Sequence, residues 1–336
     1  MTSAPVLLTG AAGFIGSHVA DRLLAAGGTV VGLDNFDPFY PRAYKERNLQ
    51  GALTQPGFHF VEGDIRDAEL VRRLMEQHRP VAIVHLAARA GVRASLADPV
   101  GTCDVNLAGT LTLLDAARAA GCTKFLFASS SSVYGDTAKV PFAEDDRVDR
   151  PVSPYAMTKK AGEEICYSYH HLHGIDVIAL RFFTVYGPRG RPEMAVHKFA
   201  QLMTEGEPIP VYGDGEMERD FTFVDDIVTG CEGALDLLLR SSGCYAIYNL
   251  AAAERVTLAR MIDCLERTLG VTAERRMLPM QPGDVRRTAA DISRARSAFG
   301  YAPQTRIESG IAAFVAWYTR EILPLPAASR ARTTSS

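Results

Sequence analysis

Tyr155 and Lys159 stand four residues apart in Ser153-Pro154-Tyr155-Ala156-Met157-Thr158-Lys159. Ser153 suits a helix cap and Pro154 the first helical position, so the spacing predicts one helix face that carries both groups. A tyrosine hydroxyl with its ordinary pKa of about 10 is a poor base at neutral pH, and an ammonium on the same face stabilises its phenolate. Such a phenolate can take a proton from an alcohol while hydride leaves the same carbon for a nicotinamide.

That chemistry needs a dinucleotide, and the N-terminal segment provides for one. Gly10-Ala-Ala-Gly13-Phe14-Ile15-Gly16 follows a short apolar run, Val6–Thr9, and opens a helical pattern that reaches Leu24. Glycines at this junction permit a tight turn and let a pyrophosphate approach the backbone at a helix N-terminus. Asp34 ends the second predicted strand, Thr29–Leu33, with Asn35 after it. A carboxylate there accepts from ribose hydroxyls and repels a 2′-phosphate, which favours NAD over NADP. Lys45 is close enough in sequence to reach the ribose or the phosphates, although an ordinary surface lysine fits equally. Gly63-Asp64-Ile65 follows the third strand, where an acid can meet the adenine amine. Leu86-Ala87-Ala88 follows the fourth, and small residues there let a dinucleotide lie against the backbone. Asn106 falls in a helical stretch, either facing the cofactor or bonded locally.

The elements that must position these groups alternate. Strands are predicted at Phe58–Glu62, Val81–His85, Lys124–Ala128 and Asp176–Arg181, and helices from Asp67, over Thr102–Ala119 and over Pro154–His173. Short apolar strands alternating with helices indicate an α/β fold with a doubly wound parallel sheet of the Rossmann type. After Arg181 the pattern loosens. Arg189–Pro192 has the composition of a substrate-facing loop, Glu207–Gly215 reads as a short strand and turn, and Tyr245–Leu250 as a further sheet strand. The second lobe is therefore expected to be smaller and interleaved with the first. Residues 1–183 and about 222–251 form the NAD-binding unit, about 184–221 and 252–325 the substrate-binding unit, with 326–336 a disordered tail. Ile307–Leu323 reads as an amphipathic helix that takes Trp317 into the core. His85 ends a strand and reads as packed rather than catalytic.

Composition excludes several alternatives. Among 336 residues, 47% are hydrophobic, enough for a sizeable core, and a net charge of −3 without a long basic run argues against nucleic acid. No apolar stretch is long enough to span a membrane, and no signal-peptide pattern follows Met1. No two of the six cysteines make a CxxC pair, so no metal site is predicted and reduced thiols in the cytoplasm are expected.

Taken together, GAAGFIGSH at 10–18, DN at 34–35, GDIRD at 63–67, LAARAGVRASL at 86–96, SSSSVYG at 129–135, YAMTK at 155–159 and RFFTVYGPRGRPEMA at 181–195 resemble the extended short-chain dehydrogenase/reductases of the nucleotide-sugar epimerase and dehydratase group. The resemblance implies a tightly held NAD and a nucleoside diphosphate sugar as substrate. It places the catalytic hydroxyl at Ser130. The group's 4,6-dehydratases carry Asp-Glu where this chain has Ser131-Ser132, and its UDP-glucuronate decarboxylases carry a glutamate just before the Val-Tyr-Gly. Elimination and decarboxylation thus lose their expected groups.

The Ala-Gly-Val-Arg93 segment, and the run from Thr184 to Arg191-Pro-Glu-Met, are similar to the pattern of the UDP-glucuronate 4-epimerases. A uronate carboxylate needs donors, and Ser131, Ser132, Thr184 and Arg191 supply them. Arg191 serves equally as a diphosphate contact, and Arg93 as a structural ion pair. Arg219 resembles the group's diphosphate-binding arginine. Gln281 and Asp284 match positions near the uridine ribose, and Tyr212 either borders the uracil or packs in the core. The expected activity is NAD-dependent epimerisation at carbon 4 of UDP-glucuronate. Alternatives are the same chemistry on UDP-N-acetylglucosaminuronate or UDP-glucose, a UDP-glucuronate decarboxylase, or a silent NAD-sensing module. The resemblance also implies a homodimer, paired through the Thr102–Ala119 and Pro154–His173 segments.

Overall fold

The computed structural model describes residues 4–213, 215–279, 287–325 and 330. Its first half runs β1 (Val6–Thr9), α1 (Phe14–Ala25), β2 (Val30–Asp34), α2 (Arg42–Leu53), β3 (Phe58–Glu62), α3 (Ala68–His78) and β4 (Ala82–His85). Short helices α4 (Val92–Ala97) and α5 (Pro99–Cys103) follow, then a π-helical turn (Asp104–Ala108), α6 (Gly109–Ala120), β5 (Lys124–Ser130), α7 (Pro154–His173) and β6 (Asp176–Phe182). The remainder comprises β7 (Thr184–Tyr186), α8 (Ala195–Glu205), β8 (Ile209–Tyr212), β9 (Glu218–Phe223), α9 (Val224–Arg240), β10 (Tyr245–Leu250), β11 (Arg255–Thr257), α10 (Leu258–Leu269), β12 (Arg275–Leu278), α11 (Ser293–Phe299) and α12 (Ile307–Glu321).

Seven strands form one parallel sheet in the order β10-β6-β5-β4-β1-β2-β3. The chain winds from β1 out to β3, returns to β4 on the other side of β1, and winds outward again. The reversal between β1 and β4 opens a crevice at the carboxyl ends of the strands, where doubly wound sheets hold ligands. Helices cover both faces, so the central strands are mostly apolar. Alternate residues feed two separate layers. Leu8, Val84 and Leu126 pack on one side, and Leu7, Ile83, Phe125 and Phe127 on the other. Beyond this sheet, β11-β9-β7 make a three-stranded sheet and β12-β8 a parallel pair.

Predicted and observed elements differ in two informative places. β5 continues to Ser130, so the predicted catalytic serine is the last residue of a strand. The helix expected over Thr102–Ala119 starts at Pro99, where Asp98 caps it by accepting from the Gly101 N–H at 2.9 Å, and it is broken by the π-turn. The Pro154–His173 helix is as predicted, with Ser153 as its cap accepting from the Ala156 N–H at 3.1 Å. The expectation of a tail over 326–336, and the substrate contacts at Gln281 and Asp284, lie outside the described residues, Arg330 excepted.

Candidate active site

Two cavities meet at the end of β5. The first lies over the β1–α1 turn and is lined by Gly10, Gly13, Phe14, Ile15, Gly16, Asp34, Asn35, Lys45, Ile65, Leu86, Ala87 and Ala88. The second is lined by Arg93, Ser131, Ser132, Thr184, Tyr212 and Arg219, all predicted substrate contacts. Ser130, Tyr155 and Arg191 border both. The structure therefore brings together the described site residues that were predicted from distant parts of the chain, with two exceptions in the first cavity.

Those exceptions are Asp64 and Asn106. Asp64 is held by Arg66 at 2.7 Å and by the Asn35 amide at 2.9 Å, while its neighbours Gly63 and Ile65 face the cavity. Arg66 pulls its carboxyl down to about 2. Asn106 is buried on the π-turn. It accepts from the Arg89 N–H at 2.8 Å, and donates to the Arg89 carbonyl at 3.1 Å and to the Thr158 hydroxyl at 3.0 Å. It ties the segment after β4 to the helix that carries Tyr155, and its amide is fully engaged in doing so.

The turn is built for close approach. Gly10 has φ of +72°, and a Cβ there would lie 2.8 Å from the Ala87 nitrogen. A Cβ on Gly16 would strike the Gly10 carbonyl. Helix α1 begins at Gly13 with no side-chain cap and no acid in its first turn, so its free N–H groups are left for an anion. Asp34 accepts from the Ala12 N–H at 3.1 Å and from the Phe36 N–H at 2.8 Å. Burial pushes its carboxyl up, against the Lys45 ammonium and the two N–H groups. Lys45 is not a surface residue. It is buried, donates to the Asp37 carbonyl at 2.8 Å and lies 4.8 Å from the Tyr40 ring centre. The Tyr40 hydroxyl is buried at the same cavity without a hydrogen-bond partner. A glycine cradle, an uncapped helix start, a carboxylate at the end of β2 and an orphaned hydroxyl fit a pyrophosphate-linked dinucleotide.

At the junction, the Ser130 hydroxyl donates to Ser132 at 3.1 Å and accepts from the Ser132 N–H at 3.2 Å, and Tyr155 borders both cavities with it. Burial raises the Tyr155 phenol above its ordinary value, and Ser130 and then Arg191 oppose that. Lys159 donates to the Ala128 carbonyl at 2.7 Å, with its nitrogen 5.9 Å from the Tyr155 ring centre. Burial lowers its pKa to about 8. His85 packs, as predicted. Its ring bonds Thr9 at 2.8 Å and Thr110 at 3.1 Å, and burial takes its pKa to about 3.

The second cavity is cationic. Arg93, Arg191, Lys198 and Arg219 face it against one carboxylate, Glu193, which pairs with Arg191 at 2.9 Å. Arg93 lies 5.4 Å from the Tyr212 ring centre. Sequence reasoning missed Phe39, Tyr40, Arg89 and Met194 among the lining residues. Tyr40 and Phe39 belong to a Pro-rich loop with no periodicity to mark them, whereas Arg89 lies inside the LAARAGVRASL motif.

A doubly wound sheet with a dinucleotide cradle that opens onto a tyrosine–lysine pair defines a nicotinamide-dependent enzyme of the short-chain dehydrogenase/reductase type. The profile of the NAD dependent epimerase/dehydratase family matches residues 6–251, and the chain belongs to that family. It is 46% identical over 327 residues to UDP-glucuronate 4-epimerase 1 of Arabidopsis thaliana, covering 93% of this chain and 76% of that protein. A probable UDP-glucuronate 4-epimerase of Rhizobium meliloti (strain 1021) is 41% identical over 328 residues, with coverage of 93% and 96%. Among solved structures, the UDP-glucuronic acid 4-epimerase of Bacillus cereus in complex with UDP-glucuronic acid and NAD superposes with a TM-score of 0.89 at 35% identity, covering 94% of this chain and 99% of that one.

Proposed function

We propose that this chain interconverts UDP-glucuronate and UDP-galacturonate by inverting carbon 4 through a 4-keto sugar. The observation that carries the reading is the placement of Tyr155 and Ser130 where a dinucleotide cavity meets a cationic one. NAD bound in the first cavity supplies a reversible hydride acceptor for carbon 4. The Tyr155 phenolate takes the proton of the 4-hydroxyl and later returns it. Lys159 keeps that phenolate accessible, and Ser130 hydrogen-bonds the oxygen that becomes the ketone. Gly10, Gly13, Gly16 and the start of α1 hold the pyrophosphate, with Asp34 and Asn35 at the ribose and Ile65, Leu86, Ala87 and Ala88 against the rings. Asn106 and Asp64 serve by bracing this wall.

Arg219 and Arg93 face the diphosphate, Tyr212 the uracil, and Ser131, Ser132, Thr184 and Arg191 the uronate carboxylate. A 4-keto uronate is a β-keto acid and can lose carbon dioxide. Donors that hold its carboxylate out of line with the carbonyl suppress that loss. The absence of any carboxylate besides Glu193 among the described lining residues argues against elimination and decarboxylation.

The sheet arrangement supports the two-unit division. β10 joins the seven-stranded sheet from late in the chain, whereas β8 and β12 pair apart from it and β8 lines the second cavity. A homodimer is supported by Leu111 on α6 and Met157, Tyr167 and Leu172 on α7, all apolar and exposed. No described helix is long and apolar enough to cross a membrane, and six unpaired cysteines suit a reducing cytoplasm. The test is incubation of the purified protein with UDP-glucuronate or UDP-glucose without added cofactor, followed by chromatographic separation. UDP-galacturonate should form from the first. Turnover of UDP-glucose alone would shift the reading to a neutral-sugar epimerase.

A further inference from the structure

Behind the site, where neither cavity reaches, lies a buried ion pair. Glu163 of α7 and Arg181 of β6 are 0% and 1% exposed, joined by two hydrogen bonds of 2.8 Å. Ser129, the register partner of Arg181 on the neighbouring strand, lines the first cavity, and its hydroxyl donates to the same carboxylate at 2.6 Å. The third arginine nitrogen donates to the Glu144 carbonyl at 3.2 Å. Two successive residues of β5 thus grip two positions of α7 spaced by four: the Ala128 carbonyl takes Lys159 and the Ser129 hydroxyl takes Glu163. One turn before Lys159 stands Tyr155, which borders both cavities with Ser130, the next residue of β5.

Apolar residues of similar volume would hold a helix on a sheet as well as a buried ion pair, and often better. What the pair adds is direction, since a two-bond fork admits one orientation of its partners. We infer that Glu163, clamped by Arg181 and Ser129, is a positioning residue of the proton-transfer site: it sets α7 against the end of β5, and with it the placement of Tyr155 beside Ser130 and the seating of Lys159 on Ala128. This rests on the reading of Tyr155 as the proton carrier.

The same carboxylate acts on Lys159 through space. The ionisable groups around that ammonium are Tyr155, Glu163 and Cys166 on its own helix, with Lys160 3.7 Å from Glu163, His85 from β4, and Arg181 from β6 behind Glu163. Burial lowers Lys159, and Cys166 and Glu163 oppose it. Removing the Glu163 charge takes Lys159 lower still, and the uncompensated Arg181 pushes in the same direction.

The experiment compares Ser129→Ala, Ser129→Thr and Glu163→Gln with the wild type. It measures kcat, KM for UDP-glucuronate, copurified NAD, melting temperature and the pH profile of kcat. Ser129→Ala should lose about tenfold in kcat, the order expected of a slightly misplaced group, with KM, NAD content and melting temperature close to wild type. Ser129→Thr, which keeps the hydroxyl, should restore most of that loss. Glu163→Gln should move the alkaline fall of kcat to lower pH. If Glu163→Gln does not fold, the Ser129 pair decides the matter alone. Undiminished kcat in Ser129→Ala, loss only in proportion to lost NAD, or an unmoved alkaline limb in a folded Glu163→Gln would each overturn the inference. A wild type inert toward UDP-glucuronate would instead refute the reading beneath it, and the inference would fall with that reading.

Discussion

Tyr155 carries the proton in this account, and its neighbours decide how well. Replacement by phenylalanine keeps the ring and removes the carrier. Tyr155→Phe should lower kcat by about 10²–10⁴-fold, with NAD content of the purified protein unchanged. Product formation per bound NAD measures this, and retention of a third of the activity would exclude Tyr155 from the role. Lys159 gives a pH prediction. Its pKa is lowered by burial to about 8, so the ammonium is present below that value and lost above it. The kcat at saturating substrate should therefore fall as pH rises through about 8, and a flat profile to pH 10 would contradict the assignment. These groups were legible in the sequence because their chemistry lies in type and spacing. Lys45 and Asn106 were less so. Whether a lysine is buried or an asparagine amide is already engaged depends on partners brought in from elsewhere, here the Asp37 carbonyl and the Arg89 backbone.

At the scale of elements, the β1–α1 turn makes the sharpest demand. Gly10 occupies left-handed backbone space hard against Ala87, so Gly10→Ala brings both backbone strain, about 1–3 kcal/mol, and a collision. The variant should melt lower and purify with little NAD, which a thermal scan and cofactor release will show. Normal NAD content would mean that the dinucleotide does not use this cradle. The strands and α7 were readable because an apolar run bounded by turn signals and a capped 3.6-residue period are local properties. The π-turn at Asp104–Ala108 was not, since a shift from i−4 to i−5 hydrogen bonding leaves no mark in composition. Nor was the Glu163–Arg181 pair. An arginine amid Ile178-Ala-Leu180 and Phe182-Phe183 reads as the end of a strand, yet β6 runs on and Arg181 is buried because a glutamate 18 residues earlier meets it. Helix α2 was missed because Arg42–Leu53 is too polar to show an apolar stripe.

Across the whole molecule, the long-range order of the chain does the assembling. Sequence motifs identify each wall of the site, but only the winding of the sheet shows that Gly10, Ser130 and Thr184 line cavities that share a border. The apolar residues left exposed on α6 and α7 make the assembly prediction. Leu111→Glu combined with Tyr167→Glu should convert a dimer to a monomer by light scattering, with little effect on the parallel sheet. A monomeric wild type at the same concentration would remove the proposed interface. The central claim is that carbon 4 is inverted by removal and return of its own hydrogen as hydride. It is tested by following UDP-glucuronate in deuterium oxide, without added NAD, by proton NMR. The account predicts UDP-galacturonate whose carbon 4 keeps its original hydrogen. Deuterium at carbon 4, UDP-pentose as the main product, or a UDP-4-ketopentose with released NADH would contradict it.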